Sequence, residues 1–179
     1  MNMVKAEEKR RDNIAEYIIH MYQSEELVRS FDFDLDQINT YVISHIPLED
    51  HAKKELLLWY ASLIENMQKE GINESGHLKE TIDLTHQLNK LHVELLGKDK
   101  SYERIVHSAQ PFIETQIKES KNTISDPIQI CLNAVYGFLL LKLNGKSITS
   151  EQQNMLGAFG NMLSFLSFKF KQNSFLSSN

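Results

Sequence analysis

The residue type most able to do chemistry here is histidine, present seven times in 179 residues. A helical di-metal site uses Glu-x-x-His motifs repeated on facing helices, so that carboxylates and imidazoles projecting inward share the ions. Only Glu74-Ser-Gly-His77 has that spacing, and its glycine places it at a helix start rather than inside a helix. A His-Glu-x-x-His motif is absent, and Glu16/His20 and Glu103/His107 are i, i+4 neighbours of the kind a helix surface accommodates by hydrogen bonding. No metal or other cofactor is expected. The single Cys131 lies in an apolar run, can form neither an internal disulfide nor a CxxC knuckle, and is expected as a small buried hydrophobe. No Ser/His/Asp or Cys/His nucleophile signature is present, so no catalytic residue is assigned.

Two polar ridges remain. On the fourth predicted helix Leu78, Ile82, Leu84, Leu88, Leu91 and Leu95 span an apolar arc of roughly 180° at about 100° per residue. Thr81, Thr85 and His92 fall near the middle of that arc. His92 is then either a core imidazole bonded to a backbone carbonyl or a tyrosine, or part of the polar lining of a small-molecule pocket. Left without a partner it would cost about 1–3 kcal/mol. On the first helix Asn13, Glu16, Tyr17 and His20 border the apolar stripe. They either fix helix register by interhelical hydrogen bonds or supply an acid/base pair or ligand contact, with a nearby carboxylate raising the His20 pKa. The candidate ligand-binding set is therefore Glu16, Tyr17, His20, Thr85 and His92, and whether the two ridges meet is left open.

The elements that must position these residues are all helical. Seven Gly and three Pro are too few for a turn-rich β fold, and no glycine-rich phosphate loop occurs. The apolar spacing predicts a helix from Met3 to about Arg29 and a short one over 35–46 capped by Asp34. A third, over 51–70, is capped by Asp50 and closed by Gly71. A fourth opens at Glu74-Ser75-Gly76 and runs to Leu96, and a fifth is capped by Ser101 and bent at Pro111. The sixth, about 127–144, opens with Asp126-Pro127 and is apolar nearly all round, as a central buried helix would be. Thr149 with Gln152 forms a capping box for the seventh, to about Lys171. Short links imply an antiparallel bundle of six to seven helices with a buried apolar C-terminal hairpin, one domain over 1–172, and a frayed tail over 173–179.

Charge separates the chain into two parts. Residues 127–179 hold 4 basic and 1 acidic residue, and between Pro127 and Phe168 only Lys142, Lys146 and Glu151 are charged. The apolar stretches are too short and too rich in Gln and Asn to cross a membrane. The net charge of −5 argues against nucleic acid, and a start without an apolar segment behind its basic residues points to the cytoplasm. Gly157, Gly160 and Ser164 permit close helix approach within the chain or across a dimer. The phenylalanines of the seventh helix serve either the core or a homodimer face.

The run Arg11-Asp-Asn-Ile-Ala-Glu-Tyr-Ile-Ile-His-Met-Tyr-Gln-Ser-Glu-Glu-Leu-Val-Arg29 resembles the opening helix of an uncharacterised family of helical Bacteroidetes proteins, catalogued only as a domain of unknown function. Residues 13–17 and the Glu26/Arg29 pair carry the likeness. It implies an all-helical intracellular bacterial protein of similar length and supplies no activity, cofactor or site residue. The expected function is a non-enzymatic helical interaction module, homodimeric through the C-terminal hairpin or docking an unknown protein partner. The alternative is a bundle with an internal small-molecule or catalytic pocket lined by Tyr17, His20, Thr85 and His92.

Overall fold

The computed structural model describes residues 9–177, with side chains to 174. Among the described residues every regular element is helical. These are α1 (Ile14–Ser30), α2 (Leu35–Tyr41), a 3-10 turn (Ile43–His45), α3 (Asp50–Lys69), α4 (Lys79–Leu95), α5 (Lys100–Glu119), α6 (Pro127–Leu143) and α7 (Ser150–Ser177). A helical turn over 9–12 precedes α1. The first predicted helix is thus broken at Asn13, which leaves the helical backbone region and accepts from the Glu16 N–H. The predicted start at Met3 lies outside the described residues.

Local cap chemistry sets several boundaries as expected. Asp34 accepts from Gln37 N–H, and Asp126 accepts from Ile128 and Gln129 N–H with Pro127 in the first turn. Thr149 and Gln152 exchange both bonds of a capping box, at 2.9 and 3.1 Å. Other boundaries differ. Asp50 lies inside the first turn of α3 rather than capping it. Asp99, not Ser101, caps α5, and its bond from the Tyr102 N–H, then the Lys169 ammonium, lowers its carboxyl pKa. Helix α4 begins at Lys79, because residues 72–78 are held as a link by contacts from elsewhere. The last helix continues through 173–177, the stretch expected to fray.

Helix α7 packs against α5, α6, α1 and α4, and α1 additionally touches α3, α4 and α6. The core between them includes Ile14, Ile18, Leu88, Ile128, Leu132 and Phe159, all but removed from solvent. A remote cap ties two of these helices together: Ala15 N–H, an orphan donor in the first turn of α1, bonds to Ser167 Oγ of α7 at 3.2 Å. The sixth helix departs from expectation. Its first half buries Ile128, Ile130, Cys131 and Leu132, but from Asn133 to Leu143 no residue is buried. The C-terminal hairpin is therefore buried at one end of α6 and open at the other.

Candidate functional site

The chemistry-bearing side chains fall into three separate places. His92, 5% exposed, has Nδ1 2.7 Å from the Tyr102 hydroxyl, and Tyr102 stacks on Phe165 of α7. This is a core histidine satisfied by a tyrosine. Burial pulls the His92 pKa down and pushes the Tyr102 pKa up, so burial favours the neutral form of both groups in this hydrogen bond. Thr85 is also buried, but its hydroxyl donates to Thr81 C=O. It reaches Tyr22 rather than His92.

The α1 ridge is split between surface and groove. Glu16 is exposed and paired with Lys9, while Tyr17 is buried with the Arg10 guanidinium 5.9 Å from its ring centre. His20 stacks on Trp59 of α3, with ring centres 5.6 Å apart, and borders an open groove with Ser24, Tyr60, Tyr136, Leu140 and Leu143. The pKa of His20 is lowered to about 4, chiefly by burial and then by Lys9. The expectation of a raised value is overturned because the opposing pull of Glu16 is the smallest of these effects. The ridge of α1 and His92 thus contact different partners, His20 on Trp59 and His92 on Tyr102.

A third assembly, centred on Glu25, brings together residues that no motif in the sequence connects. Glu25 is 0% exposed, yet it is a carboxylate. Its Oε2 lies 2.6 Å from His77 Nδ1 and its Oε1 accepts from Leu78 N–H at 3.1 Å, so it satisfies the start of α4 from a different helix. Glu70 accepts the next donor, Lys79 N–H. The His77 ring stacks on Tyr22, whose hydroxyl accepts from Gln129 of α6. Arg29, one turn beyond Glu25, donates to Ile72 and Gly76 carbonyls and pairs with Glu26. Glu25 and Arg29 together hold the 72–78 link against α1. The available signal was Glu25 itself, a charge at a stripe position between Met21 and Val28, where a buried partner is required.

The second half of α6 is only half-buried: Ala134, Val135, Tyr136 and Phe138 pack against the edge of the core, and Leu140, Lys142 and Leu143 are exposed. Every residue from Asn133 to Leu143 lines one of three grooves of about 620, 620 and 700 Å³. Tyr136, Leu140 and Leu143 face the His20 groove. Ala134, Gly137 and Leu141 face a second groove, toward α5 and the start of α7. Val135, Leu139 and Lys142 face a third groove, toward Ile19 and Leu156. Only Asn133 and Lys142 are polar in this segment, and Leu140 and Leu143 are 40% and 68% exposed. A methyl group added at Gly137, Gly157 or Gly160 would meet nothing within 4 Å. None of these glycines serves close packing inside the chain.

Among the described residues no group of three or more His, Cys, Asp or Glu side chains could hold a metal ion, and no helix is long and apolar enough to cross a membrane. Burial pushes the Cys131 thiol up to about 12, so it is inert as a nucleophile. No curated protein and no solved structure matches the chain. A family profile does match, over residues 3–175, which is nearly its whole length. The chain belongs to the family described as Domain of unknown function (DUF4924).

Proposed function

We propose that the protein is a non-enzymatic helical interaction module that docks through the open half of α6 and the adjoining solvent face of α7, most simply on a second copy of itself. The observation that carries this is the segment 133–143, apolar at all but two positions, with Leu140 and Leu143 exposed and its other apolar residues only half-buried. Large exposed apolar surfaces of this kind mark interfaces in soluble proteins. Gly137 adds to it. A mid-helix glycine costs about 1 kcal/mol relative to alanine, and nothing inside the chain requires it here. It would let the backbone of a second helix approach. Between Asn154 and Phe168 the exposed positions of α7, namely Asn154, Gly157, Asn161, Ser164 and Phe168, form a face without charge, which suits a buried contact better than a solvated one.

A two-fold arrangement needs only one self-complementary patch, the commonest route to a homo-oligomer. The short link over 144–149 supports an antiparallel α6–α7 pair within a bundle. A lone buried cysteine suits a reducing cytoplasm, and the likeness of residues 11–29 supports a bacterial source among the Bacteroidetes. Light scattering on the eluting protein tests the reading. The expected mass is twice 20.7 kDa at micromolar concentration, and the paired variant Leu140→Glu/Leu143→Glu returns it to 20.7 kDa with its helicity intact. A wild-type monomer that binds no apolar dye would remove the reading.

A further inference from the structure

The third groove beside α6 has a different chemistry from the other two. Its walls are Ile19, Val135, Phe138, Leu139, Ile148 and Leu156, and its volume is about 700 Å³, within the range of small-molecule sites. Lys142 and Lys146 stand at its edge. The apolar stretch 127–168 carries only three charges, and two of them are these lysines. Neither has a carboxylate partner among the described residues. Glu16, also at the edge, is already engaged by Lys9. The turn at the end of α6 brings the second lysine to the same groove as the first. Gly145 takes φ +67°, Lys146 N–H returns to Leu141 C=O and Gly145 N–H to Lys142 C=O, closing a Schellman turn.

We infer that this groove binds a free long-chain carboxylate, with the alkyl chain along Val135, Leu139 and Leu156 and the carboxylate between Lys142 and Lys146. Complementarity carries the assignment. An apolar trough with two uncompensated cations at one edge matches an amphiphile with one anionic end, because the chain is driven by removal from water and the head by charge-assisted hydrogen bonds. A neutral hydrocarbon would leave the lysines unused, and a multiply charged solute would leave the trough unused. The groove lies on the Val135–Leu139–Lys142 side of α6, and Leu140 and Leu143, which line the His20 groove instead, do not line it, so substitutions at those two residues separate this inference from the dimer.

Calorimetric titration of the full chain with decanoate, dodecanoate and tetradecanoate below their micellar concentrations tests it. Binding is expected to tighten about fourfold per methylene buried. Lys142→Glu/Lys146→Glu, at two exposed positions, is expected to weaken dodecanoate about tenfold or more, as loss of a charge-assisted contact does. Ile148→Asp, in the 144–149 link, weakens it from the trough side. Leu140→Glu/Leu143→Glu leaves it unchanged. Circular dichroism of each variant verifies that the helices are retained. No heat with any chain length, equal affinity for methyl dodecanoate, or unchanged binding by the lysine variant would each overturn the inference. Binding to phosphatidylglycerol vesicles without binding to monomeric dodecanoate would overturn it in favour of a membrane surface.

Discussion

Replacing Glu25 by glutamine isolates the charge that holds α4 to α1. The amide keeps the side-chain volume and an oxygen able to accept from Leu78 N–H. It removes the carboxylate from His77 Nδ1 and from the positive end of the α4 dipole. A hydrogen bond to a charged group is worth about 1.5–3 kcal/mol, and the helix terminus adds about 0.3–1 kcal/mol. Relief of the desolvation of a fully buried carboxylate opposes both, so the net loss expected is about 2 kcal/mol. For a chain of this size that is a fall of about 4–8 °C in Tm. Glu25→Ala also orphans the Leu78 donor and opens a cavity, and its expected cost is about 3–5 kcal/mol. Urea unfolding gives both values, and amide exchange locates them, with protons at 77–80 exchanging faster than those in α6. If Glu25→Gln loses less than about 0.5 kcal/mol, or alanine is no worse than glutamine, the carboxylate is not holding the link and the reasoning fails.

Three other outcomes follow from the same contacts. The unfolded His20 imidazole, at 6.5, takes up its proton before the folded one, at about 4. Stability is therefore full above pH 6.5 and declines as pH falls from 6.5 toward 4, by up to about 3 kcal/mol, and His20→Phe, which keeps the stack on Trp59, should abolish this slope in urea melts. Tyr102→Phe leaves His92 Nδ1 buried without its hydroxyl and should cost about 1–3 kcal/mol; unchanged stability would show that the pair contributes nothing. Gly137→Ala should raise the stability of the monomer by about 1 kcal/mol, because the new methyl meets nothing, yet weaken self-association. A variant that is more stable and associates as well as the wild type would show that no helix approaches there.

What could be read from the sequence was decided locally. Asp34, Asp126-Pro127 and the Thr149/Gln152 box were legible because each cap bonds to a donor two or three residues away. The start of α4 was not legible, because Glu25 lies 53 residues from Leu78, the residue whose N–H it accepts. The spacing of Glu74 and His77 points to an incomplete metal motif, whereas the partner His77 actually meets is Glu25, 52 residues away. His92 was placed correctly in the core, since a polar residue at the centre of an apolar arc must be buried. Whether it meets His20 was not legible, because angle on one helix says nothing about which neighbour is met. The open half of α6 was misjudged for a related reason. Apolar composition shows that a segment avoids water and not whether its own chain or another molecule covers it.

The measurement that tests the account most directly is the mass of the purified chain across micromolar concentrations, beside Leu140→Glu/Leu143→Glu. The expected result is a concentration-dependent dimer of twice 20.7 kDa for the wild type and a folded monomer for the variant. A wild type that stays at 20.7 kDa throughout and binds no apolar dye would contradict it.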